Sequence, residues 1–215
     1  MESPIDLFVS AFVTFFLLID AIGMSPVFVT LTAAGDAAYR RRTAVQAVLV
    51  ASIVIFAFAL GGRWLLDHMG ISIHSFRMAG GALLFLIALE MVFEKRTERR
   101  EERAHDVQEN AQEASDPAPD VSVFPLGIPM LAGPGVIVSV MVFMTEHPGL
   151  IPHAVVLSAV LANMILALAI FLLAIPLLKA LGDSVVGALT RILGVLLSAL
   201  ALEMLVVGTK GAFNL

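Results

Sequence analysis

Residues 20–26 read DAIGMSP and interrupt the first apolar segment of the chain with an acid, a glycine and a proline. The apolar flanks, residues 8–18 and 27–31, are together long enough to cross a bilayer. A carboxyl group at that depth is costly in lipid, and glycine and proline weaken the hydrogen bonding that a spanning helix closes on itself. A broken helix with a charge near mid-depth indicates a place where a membrane protein holds a polar solute.

The composition is that of a polytopic helical membrane protein. Of 215 residues 59% are hydrophobic, and the mean hydropathy is +0.96. There is no cysteine, which excludes disulfides, thiolate metal sites and a cysteine nucleophile. The net charge of −5 arises mostly in one loop and there is no basic patch, so a nucleic-acid partner is not expected. The N-terminus lacks the positive region of a signal peptide, and we expect the first apolar segment to be retained.

Six segments reach the length of about 20 mostly apolar residues that a spanning helix needs. They are residues 7–32, 44–66, 73–93, 123–145, 153–178 and 184–207. Between the third and fourth lies a charged loop, residues 94–122, rich in Glu, Arg and Gln and closed by DPAPD at 116–120. We interpret it as a solvated cytoplasmic stalk and linker, with a protein-docking role as the alternative. The chain thus divides into residues 1–93, 94–122 and 123–215.

Lysine and arginine predict the orientation. They concentrate in the loops after the first, third and fifth segments, beginning with RRR at 40–42. Cytoplasmic loops carry this excess. The stalk is therefore expected in the cytoplasm and both termini in the periplasm of a bacterial inner membrane.

The two halves of the chain share features at a common spacing. ALEM at 88–91 recurs at 201–204, Gly81 corresponds to Gly194, and residues 20–21 correspond to 133–134. Each half holds three spans, an odd number, so the second half enters the membrane from the opposite side. The pattern predicts an inverted repeat, in which a solute site lies at the interface between the repeats.

The candidate binding residues lie at the two interrupted spans. They are Asp20, Gly23, Ser25 and Pro26 in span one, and Gly133, Pro134 and Gly135 in span four. A helix that starts at mid-membrane offers free N–H groups to a carboxylate, and unwound carbonyls can hold an ammonium group. Such a site suits a zwitterion. The alternatives are simple kinking for the glycines and prolines, and a structural polar role for Asp20.

Other polar residues within the spans have both a structural and a functional interpretation. Asn163 is a candidate for solute contact, although interhelical hydrogen bonding is the default for it and for Thr14, Ser139 and Ser158. Four charged residues are candidates for gating or coupling, with interfacial anchoring as the alternative: Arg77, Glu90, Arg191 and Glu203.

No catalytic signature and no P-loop is present, and the histidines lack metal-ligand spacing. We therefore predict no enzyme activity, no metal and no cofactor.

The chain resembles the MarC family of bacterial inner-membrane proteins, which includes SnatA-type neutral amino acid transporters. The resemblance rests on FPLGIPMLAGPG at 124–135 and on the run from Arg77 to Leu89. It implies six spans and movement of small neutral amino acids, with protons as a candidate coupling ion. The family's first span usually reads Asn-Pro-x-Gly-x-x-Pro, where this chain has DAIGMSP beginning at Asp20. The family's last span often has an amide where this chain has Glu203. Both departures place an acid at an amide position, which predicts additional proton coupling or a more cationic solute.

The sequence therefore predicts an all-α membrane protein of two inverted three-helix repeats, with helices 1 and 4 broken near mid-membrane. The predicted function is secondary transport of small neutral amino acids across the bacterial inner membrane. A non-transport membrane scaffold and an intramembrane enzyme acting on lipid are the alternatives. Transport direction, coupling ion and homo-oligomeric state stay open.

Overall fold

The computed structural model describes residues 3–93 and 121–213, which form helices and contain no strand. The first half comprises α1 (Pro4–Ile19), α2 (Ala21–Leu31), α3 (Ala37–Met69) and α4 (Ile73–Val92). The second half comprises an irregular proline segment (Ser122–Leu131), α5 (Pro134–Glu146), α6 (Leu150–Leu172), α7 (Ala174–Leu181) and α8 (Asp183–Phe213). The predicted charged stalk falls almost wholly on residues 94–120, outside the described residues.

Five helical stretches in the described part of the chain are long and apolar enough to cross a membrane. They are residues 4–31, which join α1 and α2, then α3, α4, α6 and residues 184–213 of α8. The proline segment and α5 together form a sixth candidate span, bent by 55°. Each stretch overlaps one of the six predicted segments, so the prediction of an all-helical, multi-pass protein is confirmed. The arrangement as inverted repeats stays a prediction.

The interruption between α1 and α2 is a single residue wide. Asp20 adopts a left-handed backbone (φ 49°, ψ 49°), where aspartate is tolerated better than most residues. Its N–H still donates to the Phe16 carbonyl (3.2 Å), and its own carbonyl accepts from Met24 N–H (3.0 Å). Asp20 therefore ends one helix and caps the next without separating them.

The proline segment contains the stronger interruption. Phe124 and Ile128 have extended backbones (φ −131° at both), and each precedes a proline across a cis peptide bond. The N–H of Ala132 donates to the carbonyl of Gly127, five residues back, at 3.0 Å. The segment packs on α3. A regular helix resumes only at Pro134.

The prediction of the fifth segment, residues 153–178, is wrong at its C-terminal end. Helix α6 stops at Leu172, and α7 begins after a turn at Leu173 (φ −100°, ψ 10°). Pro176 explains the break, because it has no N–H to donate to the carbonyl four residues earlier, that of Leu172. The short α7 therefore becomes a separate element at this end of the bundle.

The two halves interlock. Helices α1 and α2 make their main contacts with α5 to α8, while the proline segment packs on α3 and α5 packs mainly on α3 and α4. The most extensive helix pair is α4 with α8. Glycines permit this close approach: a Cβ on Gly81 would lie 2.8 Å from the Ala201 carbonyl oxygen, and one on Gly194 would lie 3.1 Å from that of Ala88.

Candidate functional site

Asp20 is buried, with 1% of its surface exposed. Its carboxylate accepts a hydrogen bond from the Gly23 N–H at 3.2 Å, as an N-terminal cap of α2. A Cβ at Gly23 would lie 2.5 Å from the Asp20 carboxylate and 2.6 Å from the hydroxyl of Thr190 in α8. The break in span one thus packs against α8, where Asp20, Gly23 and Thr190 lie close together.

Ser25 and Pro26 have a structural explanation in α2. Pro26 cannot donate to the carbonyl of Ile22, which it would bond in a regular helix. The Ser25 hydroxyl donates to that carbonyl instead, at 2.6 Å, and the Ser25 residue is fully buried. The predicted solute contact by Ser25 therefore has to compete with a bond that satisfies the proline-freed carbonyl.

Gly133, Pro134 and Gly135 form the start of α5. Gly133 is the N-cap of α5, and no side chain caps this end. The first N–H groups of α5 therefore have no acceptor within their own helix. A Cβ on Gly135 would lie 3.3 Å from Leu18 and 2.7 Å from Leu84. The first turn of α5 therefore lies beside the last turn of α1. The structure brings the two predicted interruptions together.

Asn163 joins α6 to α1. Its side-chain amide donates to the carbonyls of Phe12 (3.1 Å) and Ala159 (3.0 Å), which uses both of its N–H groups. The interhelical hydrogen bond expected for Asn163 is present. The same expectation is wrong for Ser158, whose hydroxyl donates to Val155 in its own helix.

A cavity of about 280 Å³ opens between α1, α4, α5 and α8. Its polar lining comprises Ser10, Thr14, Arg77, Ser139, Glu146, His147 and Glu203. Two of the predicted gating residues, Arg77 and Glu203, therefore share one cavity. Asp20 lies deeper along span one, about 9 Å beyond Thr14 at the helical rise.

Arg77 forms an ion pair with Glu146, the last residue of α5. Their side chains are 13% and 30% exposed, so the pair is partly shielded from water. Sequence reasoning did not identify Glu146, because an acid at the end of a span is typical of an interface. The signal was available: Arg77 begins span three at the membrane side where span four ends.

Ser139 lies in the second turn of α5, about two turns before Glu146, and lines the same cavity. It is 1% exposed, and its hydroxyl has no hydrogen-bond partner in the described part of the chain. The expected interhelical bond is not found there. A buried hydroxyl without a partner is uncommon, and its position on the cavity wall makes it a candidate contact for a solute.

Glu90 and Arg191 do not line this cavity. Glu90 is about 20 Å from Arg77 along α4, and Arg191 is about 18 Å from Glu203 along α8. Arg191 is exposed, whereas the preceding Thr190 points inward to Gly23. At the repeat spacing Thr190, rather than Arg191, corresponds to Arg77.

Comparison with known proteins gives one family. Residues 5–213 match the family described as MarC family integral membrane protein. The UPF0056 membrane protein MJ1677 of Methanocaldococcus jannaschii is 34% identical over 95% of this chain and 97% of its own. YhcE of Escherichia coli is 33% identical (94% and 91%), and YvbG of Bacillus subtilis is 31% identical (95% and 95%). No solved structure gives a significant match.

Proposed function

The chain belongs to the MarC family of integral membrane proteins, and we propose that it is a secondary transporter of small neutral amino acids. In this proposal it lies in a bacterial inner membrane with both termini in the periplasm. The cavity bounded by Arg77, Glu146 and Glu203 is then the periplasmic entrance.

The observation that carries the proposal is a cavity with charged walls inside an apolar bundle. Charged side chains in a spanning region are costly unless they face water or one another. Here Arg77, Glu146 and Glu203 all line one cavity. Its 280 Å³ has room for several waters. That volume suits a small amino acid with part of its hydration shell.

The charges in the cavity suit a zwitterion. Arg77 can exchange the Glu146 carboxylate for the carboxylate of the solute, because a guanidinium binds either group. Glu203, on the same cavity wall, supplies a negative charge for the ammonium group. Ser139 lies at the buried part of the wall and can hydrogen-bond to the solute. Arg77, Glu146 and Glu203 together carry a formal charge of −1, which disfavours an anionic solute.

The packing supports alternating access by two inverted repeats. Span one packs chiefly on α6, and span four packs chiefly on α3. Span one corresponds to span four, and α3 corresponds to α6, when the first half of the chain is exchanged for the second. The exchange therefore turns one of these packing pairs into the other. The α4–α8 pair, the most extensive of the helix pairs, exchanges with itself. Inverted repeats of this kind let a protein convert one access state to the other by repacking.

Asp20 is proposed as the proton-coupling residue. It lies at the junction of α1 and α2, close to Thr190 of α8, and is shielded from water. Ionisable residues inside a spanning region commonly mark ion and proton pathways.

Counterflow in proteoliposomes tests the proposal. Purified protein is reconstituted with an internal excess of one unlabelled amino acid, and entry of the labelled form is followed for glycine, alanine, serine, leucine, lysine and glutamate. We expect transient accumulation of small neutral amino acids and none of glutamate. Empty liposomes provide the control. A scaffold would give no counterflow with any of them, and a lipid-acting enzyme would give a product in place of accumulation.

A further inference from the structure

A second cavity, of about 300 Å³, lies at the other end of span one. It is bounded by the end of α2, the start of α3, the end of α6 and the start of α7. Phe28 in this cavity is about 21 Å along span one from Thr14, in the first cavity. The second cavity is therefore separate from the proposed solute entrance, and it owes its shape to the break between α6 and α7.

The two walls of this second cavity differ in chemistry. One wall is apolar and contains Phe28, Phe171, Leu172 and Ile175. The rings of Phe28 and Phe171 stack with centroids 4.7 Å apart and planes 2° apart, which gives a flat, fixed surface. The other wall carries Arg40 and Arg41 of α3, and none of the lining residues is acidic.

Arg40 and Arg41 lie near the start of α3. Arg40 donates to the carbonyl of Gly35 at 3.0 Å, which holds its guanidinium over the loop before α3. Arg41 is exposed. The nearby acid, Asp36, caps α3 by accepting from the Tyr39 N–H at 2.8 Å. The exposed Lys179 of α7 adds a further positive charge at this end of the bundle.

We propose that this cavity binds one anionic phospholipid of the cytoplasmic leaflet. The phosphate lies on Arg40 and Arg41, and an acyl chain lies along the Phe28–Phe171 wall. Charge complementarity favours an anionic head group, and basic pockets between helices on the cytoplasmic side are suited to such lipids. The apolar wall favours a lipid over free phosphate. Leu172 and Leu173, at its edge, are 47% and 58% exposed and continue the apolar surface toward the bilayer.

Native mass spectrometry of the purified full-length protein with added phosphatidylglycerol or phosphatidylcholine tests this. We expect one phosphatidylglycerol to be retained and phosphatidylcholine to be lost. Arg41→Gln should weaken retention roughly fivefold, the factor for the ~1 kcal/mol that one basic residue contributes near an anionic surface. Arg40 is less suitable for this change, since its replacement also removes the bond to Gly35.

Arg42→Gln is the matched control. Arg42 is exposed on the same turn and carries the same charge, but it does not line the cavity. It should retain the lipid as the unchanged protein does. Equal loss in Arg41→Gln and Arg42→Gln would overturn the proposal in favour of diffuse surface attraction. Displacement of the lipid by inorganic phosphate would overturn it in favour of a soluble anion.

A second variant tests the apolar wall without touching either arginine. Ile175→Trp should fill the acyl position and reduce phosphatidylglycerol retention, with the protein still monodisperse on size exclusion. Unchanged retention in this variant would overturn the acyl-chain assignment. The lipid proposal and the transport proposal can fail independently, because the first requires no counterflow.

Discussion

Gly81 of α4 lies against the carbonyl oxygen of Ala201 in α8, where an added Cβ would come within 2.8 Å of that oxygen. Gly194 of α8 makes the matching contact with the carbonyl oxygen of Ala88 in α4. The step in sequence from Gly81 to Gly194 equals the step from Ala88 to Ala201. One contact therefore maps onto the other when the halves of the chain are exchanged, as two inverted repeats would require.

The first prediction concerns these glycines. Gly81→Ala and Gly194→Ala should each lower the free energy of unfolding by about 1–3 kcal/mol, because a methyl group must push α4 and α8 apart. Unfolding in mixed micelles measures this. Gly61→Ala is the control, since nothing lies within 4 Å of its added Cβ, and it should be neutral or stabilising by up to ~1 kcal/mol. Equal effects at all three positions would contradict the close α4–α8 contact.

The second prediction concerns the ion pair at the cavity. Glu146→Gln should tighten solute binding by about fivefold, the factor for ~1 kcal/mol, because the glutamate no longer competes for Arg77. Arg77→Gln should abolish binding. Equilibrium binding of labelled solute measures both changes. The surface pair Arg63–Asp67, whose side chains are 63% and 69% exposed, provides the control: Asp67→Asn should change nothing. Weaker binding in Glu146→Gln would contradict the exchange of carboxylates at Arg77.

The third prediction separates Ser139 from Asn163. Ser139→Ala removes a hydroxyl without a described partner, so stability should hold while solute affinity falls by about fivefold, for one hydrogen bond of ~1 kcal/mol. Asn163→Ala should instead lose about 1–3 kcal/mol of stability, since it releases the α1–α6 hydrogen bond. Unfolding and binding are measured on both variants. Loss of stability in Ser139→Ala, with unchanged binding, would show Ser139 to be structural.

The fourth prediction concerns Asp20. Asp20→Asn keeps an oxygen that can accept from the Gly23 N–H, so the helix cap should survive. The charge is lost, and the dependence of transport on a pH gradient should flatten. Asp20→Ala, which removes the cap as well, should cost about 1 kcal/mol of stability. Transport is measured with and without an imposed gradient. An unchanged pH response in Asp20→Asn would show that the coupling residue lies elsewhere.

Much of the fold could be predicted from sequence, because hydropathy and length alone identify the spans. The end of span five was missed because hydropathy and length do not register the effect of Pro176, which frees the Leu172 carbonyl and ends α6. Among the candidate site residues, Arg77 and Glu203 were identified, and the structure brings them to one cavity. Glu146 and Thr190 were not identified. Their importance depends on which helix packs against their own, and a single sequence does not contain that information.

The central claim is that the cavity at Arg77 and Ser139 is a water-filled solute path open to the periplasm. The chain has no cysteine, so a single Ser139→Cys substitution can be labelled with a membrane-impermeant thiol reagent from outside. Leu86→Cys, on an exposed apolar part of α4, is the lipid-facing control. We expect Ser139→Cys to react about tenfold faster or more, because apolar surroundings such as lipid suppress the reactive thiolate, and a transported amino acid should slow the reaction. Equal rates at the two positions, or no effect of any amino acid, would contradict the claim.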